Sequence, residues 1–296
     1  MAEGTLEEAA PARESGLHDG EREPGWAGRA LWGVRAYGFV VAMWVRSALA
    51  YRASFLLLAV GSFVTTCLDF VAIMIMFSHV DALGGFSLPE VAFLYGVACT
   101  AFGLADLLLG SFDRIGARIR DGSLDTLLVR PVPVLAQAAA DRFALRRLGR
   151  ITQSGLVLGW SLTRLEIDWT AAKLLMLPVM LLSGTVIFCA LFVLGGAVQF
   201  WTQDAAEVQN SFTYGGVTLL QYPPTVFATD LVRGVTFVVP LAFVNWLPAL
   251  WILGRDDPLG LPGWLDFAAP LVAAGCCAAA GVVWRAGLRA YRSTGS

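Results

Sequence analysis

Charge is what this sequence has least of. Only 15% of its 296 residues are Asp, Glu, Lys or Arg, whereas an ordinary soluble domain carries about a quarter. Lysine is almost missing, with Lys173 alone beside 20 arginines. The two histidines, His18 and His79, and five cysteines without a CxxC pair provide neither a metal-ligating spacing nor a disulfide framework. No GxSxG, HExxH or GxxxxGK[ST] occurs, so no enzyme site is apparent and ATP hydrolysis through a P-loop is excluded. The net charge of −2 says little about partners, and no nucleic-acid partner is expected.

Apolar residues make up 57% of the chain, and from residue 54 to 286 they gather into long runs. That is the pattern of a polytopic membrane protein. Residues 1–28 precede the runs; the first 25 hold seven acids, two arginines and no apolar core, which predicts a disordered acidic tail rather than a cleavable signal. Residues 29–52 interleave Arg29, Arg35, Arg46 and Arg52 with Trp32, Tyr37, Trp44 and Tyr51, as a helix lying in the membrane interface would. A plain extension of the first span is the alternative.

Spans are expected at 55–77, 88–111, around 151–163, at 174–200, from about 207 to the Pro223-Pro224 pair, and at 264–284. The third is short, lies between Arg150 and Arg164, and carries a Gly155/Gly159 pair suited to close helix approach. Loop 79–87 has no Lys or Arg, whereas 112–150 has eight arginines, and Arg285, Arg289 and Arg292 follow the last run. The positive-inside rule then puts both termini in the cytoplasm and demands an even number of spans. Residues 223–253, broken by Pro223, Pro224, Pro240, Asn245 and Pro248, read as a re-entrant hairpin; one Pro-kinked span over 235–253 is the alternative. The expected fold is all-α, with six transmembrane helices, an N-terminal interfacial helix, and the hairpin between spans five and six.

The most specific stretch is IRDGSLDTLLVRP, residues 119–131, within the arginine-rich loop 112–140. Gly122 breaks one helix, Ser123 can cap the next, and Leu124, Leu127 and Leu128 share a face that Pro131 ends. Such a face on a solvated loop predicts a partner groove to bury it. Asp69 and Asp106 are acids within spans, where carboxylates usually face a cavity or bundle interior. Asp69, with Thr65 and Thr66 nearby, is a candidate for a substrate path or for a helix-interface pair, while Asp106, near the inner interface, reads as structural. Asn210, Gln221 and Asn245 are open to either use.

IRDGSLDTLLVRPV, the stretch YPPTVFATDLVRGVTFVVPLAFVNWLPALWILG and the terminal GLRAYRSTGS together resemble the ABC-2 membrane subfamily of separately encoded bacterial permeases, from about residue 30 onward. Gly122-Ser123-Leu124-Asp125 stands where the broader ABC-2 motif has Gly-Thr-Leu-Glu. The resemblance implies a non-enzymatic half-transporter of the bacterial inner membrane, paired with a second permease, identical or paralogous. Two ABC ATPase subunits would hold the ATP and Mg. It further implies an ATPase-coupling element made of Arg118, Arg120, Gly122, Ser123, Leu124, Asp125, Leu127, Leu128, Arg130 and Pro131, an exporter's direction of transport, and a hairpin over the outer mouth. The rival reading is a proton-coupled secondary transporter using Asp69.

Overall fold

The computed structural model describes residues 26–141, 144–202 and 206–292. The expected tail therefore lies outside the described residues as far as residue 25, and helix α1 (Trp26–Ala50) already occupies residues 26–28. Among the described residues every regular element is a helix; one isolated bridge, Leu83 with Phe86, closes the tight loop after α2. The backbone leaves helical geometry at Tyr51 (φ −111°, ψ 57°), separating α1 from α2 (Arg52–Phe77). α1 approaches α6 (Val134–Ala140) through Gly33 and Pro133, and the Tyr37 hydroxyl donates to the Leu108 carbonyl at 3.1 Å.

α3 (Leu88–Leu109) is the centre of the molecule. It is apolar on all sides, the signature of a helix surrounded by protein, and it buries a nearly continuous run from Glu90 to Asp106. A 3-10 turn, Gly110–Arg114, joins it to α4 (Ile115–Arg120), and the short α5 (Asp125–Leu128) follows. Around α3 pack α7 (Leu148–Arg164), α8 (Ala171–Val198) and α9 (Ala206–Leu220), while α12 (Ala269–Ala290) lies along α8. α2 is as apolar as α3 but exposes most of its surface, including Leu57 and Leu68.

Four stretches are long and apolar enough to cross a membrane: α2, the run Leu88–Arg120, α8 and α12. The expected third and fifth spans form as α7 and α9, with 17 and 15 residues, rising only about 26 and 22 Å against a hydrocarbon layer of roughly 30 Å. Length and composition thus do not by themselves yield six spans. Both short helices are polar for a physical reason: Gln153, Ser154 and Ser161 of α7, and Gln209 and Thr213 of α9, are buried against protein. α7 runs past Arg150 at its start but stops at Arg164, so the third span continues beyond only one of its flanking arginines.

The broken region after α9 divides into α10 (Thr229–Phe237), a 3-10 turn Leu241–Phe243, and α11 (Trp246–Leu253), with a 79° bend between its halves. Residues 235–253 therefore do not form one continuous helix. Pro223 and Pro224, both buried, open a turn, Pro240 sits at the bend, and every residue from Leu241 to Leu250, Pro248 included, is buried. Asn245 secures this segment by donating to the Leu94 and Leu220 carbonyls at 3.1 and 2.9 Å. The last long helix begins at Ala269 rather than 264: residues Gly263–Phe267 form a 3-10 turn, and Pro270 favours a helix start beside it.

Close helix contact is made by glycines other than the expected pair. A side chain at Gly155 or Gly159 would meet nothing within 4 Å, whereas one at Gly96 would press on the Leu158 backbone at 2.8 Å, and one at Gly149 on that of Ala59 and Phe63. Gly96→Ala should thus push α7 off α3 and cost about 1–3 kcal/mol, whereas Gly155→Ala should leave stability unchanged; thermal unfolding of the detergent-solubilised chain reads the difference.

Candidate functional site

At the α5 end of α3 a polar network is assembled from six elements. Asp106 pairs with Arg147 at 3.0 Å, and Arg147 also donates to the Asp106 carbonyl at 2.6 Å. Asp113, one turn beyond α3, accepts from Gln209 Nε2 of α9 at 2.6 Å. Gln209 Oε1 in turn accepts from Gln199 Nε2 at 2.7 Å, and Gln199 Oε1 accepts the Gly116 N–H of α4 at 2.6 Å. The Tyr214 hydroxyl lies 3.5 Å from both Asp106 and Asp113. Room for this chain is made by Gly195, since a Cβ there would occupy the space of the Gln209 side chain.

Sequence reasoning missed Asp113, Gln199, Gln209, Arg147 and Tyr214. The available signal was the 209, 213, 216 spacing on α9, which places Gln209, Thr213 and Gly216 on one buried stripe.

Beside the network a cleft of about 470 Å³ opens between α2 and α7. Asp69 and Thr66 both line it, together with Asp106, Arg147, Arg150 and Tyr214. Thr66 itself is buried, its hydroxyl donating to the Ser62 carbonyl at 2.7 Å, while Asp69 is exposed. The other two candidates for the path stand elsewhere: Gln221 donates to Cys99 Sγ at 3.3 Å, and Asn210 does not line the cleft.

The loop motif folds as expected at Gly122, whose φ of +70° ends α4, a conformation glycine adopts without steric cost. Ser123 does not cap α5. Its N–H instead donates to Asp121 Oδ1 at 3.0 Å, and Ser123 holds that carboxyl below the usual range. The expected outward-facing leucine stripe is also corrected: Leu124 is 0% and Leu127 5% exposed, covered by this chain's own core, so no partner groove is needed for them. Leu128 at 43% and Val129 at 86% exposure form the free face.

The loop is braced on three sides. Arg118 makes a two-pronged ion pair with Asp141, Gln137 donates to the Leu127 carbonyl at 2.9 Å, and the Tyr291 hydroxyl after α12 donates to Asp125 Oδ1 at 2.9 Å. Arg120, Arg130 and Pro131 flank the same turn, with Arg120 and Arg130 exposed.

Helices long enough to cross a bilayer, packed about a buried helix with a polar network at one end, define a multi-pass membrane protein. The chain belongs to the ABC-2 family transporter proteins, whose family pattern matches residues 63–295. It is thus a permease component of the ABC-transporter class. No curated protein and no solved structure shows a significant match to the chain.

Two outcomes follow from this geometry. Gln209→Leu strands the Asp113 carboxylate and the Gln199 amide and should cost about 1–3 kcal/mol, read by thermal unfolding in detergent. Burial, then the Asp125 carboxylate, pushes Tyr291 up to about 12. Its folded value thus lies above the ordinary 10.0, so the clasp contributes fully below pH 10 and is lost as pH rises toward 12. Hydrogen exchange over residues 122–129 should accelerate across that window, and in Tyr291→Phe it should already be fast at neutral pH.

Proposed function

We propose that this chain is the transmembrane permease subunit of an ATP-driven ABC exporter in a bacterial inner membrane, contributing half of a dimeric substrate pathway. The second permease is identical or paralogous, two separate ABC ATPase subunits hold the ATP and Mg, and the permease hydrolyses nothing itself. In this arrangement the short α7 and α9 complete six spans with α2, α3, α8 and α12. Both termini lie in the cytoplasm, α1 rests in the interface, and α10 with α11 forms the re-entrant hairpin.

The observation that carries the reading is the braced loop. Leu128 and Val129 stand out from a turn otherwise tied to the body. A partner pressing on that tip would move a stiff unit, and α4 would deliver the motion through Gly116 to Gln199 and Gln209, which belong to the α8 and α9 side of the bundle. Force applied at the ATPase would thereby reach α9, whose Tyr214 lines the cleft. Asp69 in that cleft favours one second reading, a proton-coupled carrier, whose transport would survive loss of any ATPase and stop with Asp69→Asn.

Purification of the tagged full chain from its native membrane in mild detergent should recover a P-loop ATPase; recovery of the chain alone under several detergents would remove the exporter reading. In the recovered complex, Leu128→Asp with Val129→Asp should cut transport-coupled hydrolysis about tenfold, as loss of an interface anchor does, without lowering thermal stability. Leu124→Asp places a charge at a fully buried position and should instead destabilise the permease by on the order of 3 kcal/mol.

A further inference from the structure

We propose that the cleft between α2 and α7 binds an amphipathic anion, its acidic headgroup held by Arg146 and Arg150 and its apolar tail lying along α2. The inference deepens the permease reading by naming the class of molecule the pathway takes, and it rests on that reading for the step from binding to transport.

Among the residues that line the cleft, cations outnumber carboxylates by one, with Asp113 standing behind Tyr214. Three guanidinium groups, Arg146, Arg147 and Arg150, face two carboxylates, Asp69 and Asp106. Arg147 is committed to Asp106 at 3.0 Å. Arg150 lies over the Phe102 ring, 5.2 Å from its centroid, and neither it nor Arg146 makes a salt bridge among the described residues. Arg150 is half-buried and Arg146 exposed, and a guanidinium that makes no direct ion pair is well served by an anion offering two oxygens. The remaining carboxylate, Asp69, projects from α2 and would oppose such a ligand rather than assist it.

The apolar half of the ligand follows from what adjoins the cleft. Leu57, Gly61 and Thr65 belong both to the cleft and to a furrow of about 740 Å³ running along α2 past Leu56, Val60 and Val64. On the other side, Leu58 and Arg146 are shared with a depression of about 270 Å³ beside Trp44, Tyr51 and Phe55. The unpaired cations thus sit where two apolar surfaces meet. A small hydrophilic anion would leave both surfaces unused, and an amphipathic cation would meet the wrong charge.

The test uses the full-length chain with its co-purified partners in dodecyl maltoside, titrated with dodecyl phosphate, dodecyltrimethylammonium and inorganic phosphate while binding and thermal stability are followed. Dodecyl phosphate should bind and stabilise, the other two should not, and Arg146→Gln with Arg150→Gln should weaken it about tenfold or more. Asp69→Asn, a change at an exposed position, should tighten binding about threefold by removing an opposing charge; a merely destabilised variant would not bind better.

Displacement of dodecyl phosphate by phosphatidylglycerol but not phosphatidylcholine would support the site and identify a membrane lipid as the anion's source. Displacement by neither would support it with a non-lipid amphiphile as the source. Equal binding of the ammonium amphiphile, inorganic phosphate binding as tightly as dodecyl phosphate, or indifference to the arginine substitutions would overturn the proposal. None of these substitutions touches the exposed Leu128–Val129 tip. A complex that keeps its ATPase but fails to bind the anion therefore refutes this inference alone, and one that never contained an ATPase refutes the exporter reading instead.

Discussion

A helix surrounded by protein must settle its polar groups internally, and α3 does so at both ends. At its start Glu90 accepts from the Ser87 N–H and hydroxyl at 2.8 Å and takes a two-pronged grip from Arg255 at 2.8 and 2.9 Å. Near its finish Asp106 is gripped by Arg147, and in its second turn the Leu94 carbonyl accepts an extra hydrogen bond from Asn245 in the broken region. Breaking a buried ion pair costs far more than the intact pair contributes. The packing of α7, α8, α9 and α11 on α3 therefore depends on these few polar contacts remaining closed.

The two ends are settled by different chemistry. Arg255 is 42% exposed at its side chain and reaches Glu90 from a loop, so that end is tied by a contact water can share. At the other end the groups are mostly buried, and neutral amides carry the connection from Asp113 to α4. Glutamines make this join without adding charge in a place where each additional unpaired ion would be expensive. The polar residues that shorten the apolar stretches of α7 and α9 are thus what hold those helices to the bundle.

Much of this was legible in the sequence. The crossings at α2, α3, α8 and α12 follow from run length, and the break around Pro240 from the residues that cause it. The Gly122 turn was readable because glycine readily takes the left-handed geometry that commonly ends a helix. What escaped were features set by distant partners. Nothing in the local pattern pairs Gln209 with Asp113, 96 residues away, or Gln199 with Gly116, 83 away. The leucine stripe at Leu124 and Leu127 was correctly seen as a face seeking cover, but a face alone does not say which surface covers it; here it is the molecule's own interior. The Gly155/Gly159 pair misled for the same reason, since spacing does not reveal which side of a helix meets a neighbour.

The amide chain from Gly116 to Asp113 has a consequence of its own. A backbone N–H can only donate and a carboxylate can only accept, so the two ends dictate which way both glutamine amides point. The chain has a polarity, like a key with one insertion. If α9 slid against α4 by a helical step, the two bonds of Gln209 could not be regained by rotating an amide, because each reversal would set donor against donor or acceptor against acceptor. The contacts of Gln209 are consequently specific to one register of α9, as the teeth of a key are to one lock.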